Sequence, residues 1–321
     1  MAPFRTVGDI GERTLLAGFA RAAAASGPGV LIGPGDDAAV IEPGATVLSV
    51  DTAVQGRHFR LDWSAPEQIG ARAVIAAAAD IAAMGGTTTG VLVSLAAPAD
   101  SSAEVLIGIN AGVVNRAAAI GAAVLGGDLV EASEISVSIT AVGVLDAGGP
   151  IRLGGARAGD VLAVSGPLGA SAAGHALLAA GGVAPDGDPQ GRAVVDAFRC
   201  PAPDLQQGPA AARGGAHGLT DISDGLVEEL ALMAAASGVA LDVDSAAIPV
   251  TDAVAAVAQR LGVDVRRWSL GGGEDHELLG AFGAAAQVPP GWWVIGAVVG
   301  SREEAVHIDG APTRLHGWRS V

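Results

Sequence analysis

Six acidic clusters, each set among glycine or other small residues, break this chain into short stretches: Gly35-Asp36-Asp37, Ser49-Val50-Asp51, Ala79-Asp80, Gly126-Gly127-Asp128, Asp221-Ile222-Ser223-Asp224-Gly225 and Gly273-Glu274-Asp275. Most follow a short apolar run, so they mark where elements turn. Glycine lets the backbone approach a ligand closely and adopt positive φ, and a carboxylate on such a turn offers hard oxygen to a cation such as Mg²⁺. A single cluster of this kind reads as a solvated turn or a helix cap. Six in one chain read together as a site for metal and phosphate.

All 18 basic residues are arginine; there is no lysine. The phosphate-binding loop G-x-x-x-x-G-K-[ST] and the third strand of protein kinases both depend on a lysine, so neither architecture operates here in its usual form. Phosphate charge is left to arginine, backbone N–H groups and metal. The net charge of −16 disfavours nucleic acid and anionic membranes, themselves polyanions, as partners. The lone Cys200 excludes an internal disulfide and a cysteine-rich zinc site, and six scattered histidines lack zinc-site spacing. With Asp9 and Glu12 where a signal peptide carries positive charge, and no apolar run of membrane length, the expected compartment is the cytoplasm.

A chain of 321 residues with 50% hydrophobic content has room for two folded domains. Periodicity predicts a helix over 11–26, strands over 30–32 and 46–50, a long alanine-rich helix over 66–84 stopped by Gly85-Gly86, a strand over 90–95, a helix over 103–120 and a short strand ending at Asp128. Alternating Ile135, Val137 and Ile139 mark a half-buried strand. Asp146-Ala147-Gly148-Gly149-Pro150 is the boundary signal, giving domains 1–147 and 148–321. The second half reads as strands near 161–164, 239–243, 278–282 and 293–299 with helices near 170–180, 204–213 and 226–237, and a loop over 181–190. The pattern is mixed α+β.

Gly33-Pro34-Gly35-Asp36-Asp37-Ala38 matches the G-x-G-x-x-A dinucleotide fingerprint in letters only. Two carboxylates in the turn would repel a pyrophosphate, whereas Asp36 and Asp37 make sense as ligands to a cation between protein and nucleotide. Asp80 lies among Ala and Ile in a helix, where an unpaired carboxylate is disfavoured and a metal or arginine partner is expected. Asp221 and Asp224 stand three apart at a helix start, with Ser223 between them, where capping and phosphate binding use the same N–H groups. His58 is a candidate substrate contact, and Trp318 a candidate for stacking on an aromatic ring.

In order along nearly the whole chain, Gly35 to Ala38, Asp51 to Phe59, Asp80 to Gly85, Gly126 to Asp128, Gly159-Asp160 with Ser165 to Gly169, Asp221 to Leu226, Gly272 to Leu278 and Gly317-Trp318 resemble the thiamine-monophosphate kinases, a family within the aminoimidazole ribonucleotide synthetase superfamily. The resemblance implies a two-domain aminoimidazole ribonucleotide synthetase-like α+β fold, mixed sheets packed with helices, in a homodimer that transfers phosphate from ATP to thiamine monophosphate with several Mg²⁺ ions. On matching positions it implies metal ligands at Asp36, Asp37, Ser49, Val50 (through its backbone), Asp51, Asp80, Asp128, Asp221 and Asp224, with Asp37, Asp51, Asp80, Asp128 and Asp221 carrying catalysis through those metals. Gly127, Asp128 and Ser223 would contact nucleotide, and His58, Glu274 and Trp318 would line the acceptor site.

The chain departs from the family at Val50, at Ala77 to Ala79 and at Leu129, where hydroxyl or amide side chains are expected. Leu153 stands where the family has a nucleotide-binding arginine, which makes neighbouring Arg152 the candidate, and no tyrosine is present to meet the nucleotide. Other readings are a different ATP-dependent enzyme of the superfamily, such as aminoimidazole ribonucleotide synthetase, and a non-catalytic binding protein stabilised by metal.

Overall fold

The computed structural model describes residues 6, 10, 15, 18, 30–32, 40–41, 46–145, 149–181, 188–301 and 304–317. The helix expected over 11–26 therefore lies almost wholly outside the described residues, as do Asp36, Asp37 and Trp318. Two compact units divide the chain: Met1–Ile81 with Thr87–Val144, and Ala82–Gly86 with Leu145–Val321.

In the first unit a small pair, β1 (Val30–Ile32) and β2 (Val40–Ile41), precedes a four-stranded sheet. That sheet comprises β3 (Thr46–Val54), β4 (Gly86–Ala97), β5 (Ala123–Glu131) and β6 (Ser136–Leu145), in the order β3-β6-β4-β5. Helices α1 (Pro66–Ala83) and α2 (Ala103–Ala119) cover one face. Small residues let them cross closely: a Cβ on Gly70 would strike the carbonyl of Ile109, and one on Gly112 that of Glu67. Ile69, Val74, Ala77 and Ile81 of α1 and Leu106, Ile109 and Val113 of α2 meet Val93, Leu95, Leu129, Val137 and Ile139 from the sheet.

The other face of this sheet is apolar and open. Leu48 and Val50 of β3 are 65% and 64% exposed, and Leu92, Val130 and Val144 from the other three strands join them. β5 runs beyond Asp128, where the sequence suggested an end, because its parallel pairing with β4 continues through Leu95↔Leu129 to Ala97↔Glu131 and buries Leu129. A bulge interrupts that pairing, with Val91 opposite Val124 but Leu92 opposite Gly126.

The second unit holds a seven-stranded sheet of β7 (Val161–Val164), β8 (Gly218–Asp221), β9 (Ala240–Val243), β10 (Leu278–Phe282), β11 (Trp293–Val299), β12 (Val306–Ile308) and β13 (Ala311–Pro312). Its order is β13-β12-β9-β11-β7-β10-β8, with β12 parallel to β9. The helices are α3 (Ala170–Ala179), α4 (Pro189–Arg199), α5 (Gln207–Arg213), α6 (Leu226–Ser237), α7 (Asp252–Leu261) and α8 (Arg266–Gly271). Sequence reading did not predict α4, α7 or α8. α4 begins inside the expected loop at Pro189, where the Asp188 carboxylate accepts the Gly191 N–H at 2.8 Å and the fixed φ of proline suits the first turn.

Register brings three connections to one end of the sheet. Leu278 pairs with Asp221 and Leu279 with Val164, so the segment after β7, the loop after β8 and the loop before β10 all emerge there.

Candidate active site

In the first unit, strand alternation decides which acids share a face. Ser49 and Asp51 pair with Ala141 and Ile139, both buried under the helices, so they lie on the helix-covered face of β3. There the Ser49 hydroxyl donates to the Asp80 carboxylate at 2.5 Å. Asp80 is half-buried on α1, flanked in sequence by fully buried alanines and Ile81. Asp128 is placed otherwise. It pairs with exposed Ser94 while its neighbours Leu95 and Leu129 enter the core, so it shares the open face with Val50 and Val130, at the far edge of the sheet from β3. Within one chain Asp128 is thus not brought beside Ser49, Asp51 and Asp80. Three strand spacings, about 14 Å, separate the two edges. Val50 presents its side chain to the open face, which leaves only its backbone for ligation.

His58 follows β3 in a loop whose buried Phe59 anchors it. The Val54 N–H donates to His58 Nδ1 at 3.1 Å, which assigns that nitrogen as acceptor and puts the proton of the neutral ring on Nε2.

In the second unit, the loop after β8 and the loop before β10 are laced together by backbone bonds. Ile222 N–H donates to Glu277 O at 2.7 Å, His276 N–H to Ile222 O at 3.0 Å and Glu274 N–H to Ser223 O at 2.7 Å. Gly225, at φ 112, makes the turn into α6 close against Gly271, where a Cβ has no room. Glu274 and His276 both take positive φ, 68 and 55. Asp221, Ser223, Asp224 and Glu274 therefore stand at one place. The C-terminal segment reaches the same place: Gly317 N–H donates to Glu228 of α6 at 2.9 Å, and Gly317 packs on the Asp224 carbonyl, next in sequence to Trp318. Arg152 is elsewhere; its backbone bridges to Gly218, the opposite end of β8 from Asp221.

Two domain families match this chain: AIR synthase related protein, N-terminal domain, over residues 35–145, and AIR synthase related protein, C-terminal domain, over 157–309. A thiamine-monophosphate kinase of Mycobacterium tuberculosis is 43% identical over 295 residues, 91% of this chain and 86% of that one. The crystal structure of thiamine-monophosphate kinase from Stenotrophomonas maltophilia superposes with a TM-score of 0.83 at 29% identity, over 93% of this chain and 97% of that one. AaThiL complexed with AMPPCP and TMP superposes at 0.80 with 27% identity, over 97% of each chain. The chain belongs to the thiamine-monophosphate kinase family of AIR synthase related proteins. It is a phosphotransferase with the two-domain fold of that family.

Glu229, Asp275, His276 and Glu277 surround these loops in the second unit. Glu229 of α6 is buried, and its carboxylate faces Ser223 Oγ at 3.5 Å and the Asp224 N–H at 3.4 Å. Burial first, then the nearby charge of Asp221, pushes its pKa up to about 7. Asp275 turns away from Glu274 and caps α3, accepting N–H bonds from Gly169 at 2.6 Å and Ser171 at 2.9 Å; burial raises it to about 6 against those bonds. Glu277 accepts the Ser165 hydroxyl at 2.5 Å, and burial lifts it to about 7. His276 is buried between Asp221 and Glu274; burial lowers its pKa, but the two carboxylates outweigh this and hold it at about 10.

The motifs named Asp275 within the Gly273-Glu274-Asp275 cluster and included Glu277 in the stretch Gly272 to Leu278. Glu229 carried no such signal, as an acid in the first turn of a helix is commonplace.

The donor set bears on the implied cation. Carboxylate and hydroxyl oxygens are the donors that Ser49, Asp80, Asp221, Ser223 and Asp224 offer, with the His276 ring held against Asp221 in the second place. Hard oxygen donors of this kind fit Mg²⁺, which takes one or two carboxylates and fills its remaining positions with water and phosphate. Among the described residues no three His, Cys, Asp or Glu converge closely enough to hold an ion alone, and no helix is long and apolar enough to cross a membrane.

Proposed function

We propose that this chain transfers the terminal phosphoryl group of ATP to the phosphate of thiamine monophosphate, giving thiamine diphosphate and ADP, with Mg²⁺ as the required cation, in the cytoplasm. The lacing of the Asp221–Asp224 loop to the Glu274 loop carries this reading: it fixes acids suited to a cation beside an acid suited to an acceptor, in a member of this family. The family's AaThiL complexed with AMPPCP and TMP supports the pairing of nucleotide and acceptor.

An acceptor phosphate oxygen is already ionised near neutrality, so no side chain need act as general base. The difficulty is approach of two anions. Unit charges about 4 Å apart repel by roughly 4 kcal/mol at an effective dielectric near 20. Bound Mg²⁺ supplies positive charge to the phosphates. Asp51 and Asp80, with Ser49 holding Asp80, and Asp221 with Asp224 are the residues that would hold it, joined by Asp36, Asp37, Asp128 and the Val50 carbonyl. Ser223 and Gly127 serve the nucleotide, and Arg152, whose backbone sits at the opposite end of β8 from Asp221, is not placed beside Ser223. His58 offers Nε2–H to the acceptor, Glu274 its carboxylate and Trp318 its ring.

The open apolar face of the four-stranded sheet supports a homodimer. Leu48, Val50, Leu92, Val130 and Val144 form a band exposed from edge to edge, and a second copy seated there would cover it and meet Asp128, which rises from the same face. Residues 1–147 would then provide cation binding and dimer contacts, and 148–321 complete the nucleotide and acceptor sites.

Product analysis tests the reaction: ADP and thiamine diphosphate should form from ATP and thiamine monophosphate with Mg²⁺. Equal turnover of unphosphorylated thiamine, or of formylglycinamidine ribonucleotide, would overturn the substrate assignment.

A further inference from the structure

Four consecutive side chains before β10 divide between two directions. Asp275 and Glu277 turn to the start of α3 and to Ser165, whereas His276 faces Asp221 and Glu274 faces His276. Two left-handed residues, Glu274 and His276, accompany that division, a conformation uncommon for non-glycine residues and held here by N–H bonds to Ser223 O and Ile222 O. His276 is 2% exposed, with Nδ1 3.3 Å from the Asp221 carboxylate and Nε2 3.6 Å from that of Glu274. One ring nitrogen thus faces each acid. Nε2 is buried without a hydrogen-bond partner, and its gap to Glu274 is of the kind that closes when substrate loads a site.

We propose that His276 is a positioning residue for the acceptor, setting the reach of Glu274 from Asp221 and so tying the acceptor side of the site to its cation side. The inference rests on the reaction proposed above. If the ring only neutralised Asp221 inside the core, losing its Nε2 would not touch acceptor binding.

The full chain with His276→Asn, His276→Gln, Glu274→Gln or His276→Asn together with Glu274→Gln separates the two. Kinetics at saturating ATP and Mg²⁺ are read beside calorimetric binding of thiamine monophosphate without nucleotide. His276→Asn, whose amide can stand in for Nδ1 but not for Nε2, should raise KM and Kd for thiamine monophosphate about tenfold, the size of one lost hydrogen bond to a charged group, with kcat held within about a factor of three, and His276→Gln, whose amide reaches the place of Nε2, should lose less. Adding Glu274→Gln should weaken binding no further. An unchanged KM, losses that simply add, a loss confined to kcat, or failure of both histidine variants to melt cooperatively would each overturn the proposal, the last because it makes His276 a core strut. Absence of turnover by the unaltered chain sinks the parent reading and this inference with it, a result visible before any variant is measured.

Discussion

The two units offer their acids in opposite ways. In the first, Asp51 is exposed on an edge strand, and Asp80 is half-buried with the Ser49 hydroxyl at hand. In the second, Asp221 is buried, His276 lies against it, Glu229 crowds it, and backbone bonds lace its loop to the next. The first place is solvated and can take a cation with little rearrangement. The second is built before any ligand arrives, at the cost of burying charge. An acid of the first kind should matter for turnover and little for folding, and an acid of the second kind should matter for both.

The sharpest break of that contrast is Asp80→Asn. The amide keeps an acceptor for Ser49 but loses the negative charge, so kcat should fall by about two orders of magnitude while the circular-dichroism spectrum stays unchanged. A folded variant with ordinary kcat removes Asp80 from the site.

Asp221→Asn should instead unfold more easily. It leaves His276 buried beside an amide, and breaking a buried charge pair destabilises by roughly 3 kcal/mol. Asp51→Asn, exposed, should shift the urea midpoint hardly at all. Equal midpoints for the two variants would erase the distinction between the units.

Ligand should act through these acids. Mg²⁺ and ATP together should raise the melting temperature by more than the sum of their separate effects, because phosphate completes the coordination that the acids begin. Ligand at about a hundred times its Kd contributes roughly 2.7 kcal/mol. Strictly additive shifts would mean that cation and nucleotide do not share a site.

The smallest expected effect isolates the prebuilt side. Burial holds Glu277 protonated up to about 7, above its ordinary 4.5, so the folded chain binds this proton more tightly than the unfolded one. Its contribution to stability is complete below about 4.5 and lost as pH rises through about 7. Glu277→Gln keeps a partner for Ser165 and cannot ionise, so melting should match the unaltered chain near pH 4.5 and exceed it near pH 8. Parallel pH profiles would show that Glu277 does not titrate in this window.

Much of the strand and helix order was legible because apolar runs here are short and sharply ended. Val161–Val164, Leu226–Ser237 and Leu278–Phe282 stand where the pattern put them. α7 escaped notice because its start signal is a single Thr251 cap, and α4 because a glycine- and aspartate-rich stretch leads into it. The acids of the site were legible as types, since glycine beside aspartate marks a backbone that something approaches. Their faces were not. Whether Asp128 shares a surface with Asp51 depends on strand order and on one inserted residue in β5, neither of which spacing along the chain reveals.

That inserted residue has a consequence for mutational tolerance. At the bulge, Leu125 and Gly126 both turn to the open side, and the alternation restarts with Asp128 outward and Leu129 inward. Deleting Gly126 would take out the extra residue itself and leave Gly127 inward, Asp128 outward and Leu129 inward, whereas one further residue inserted after Gly127 would slip the frame and drive the aspartate into the space Leu129 fills. The display of this charge and the integrity of the hydrophobic interior are a single decision of register, so the insertion should abolish soluble expression before any assay of turnover could be made, while the deletion should leave it intact.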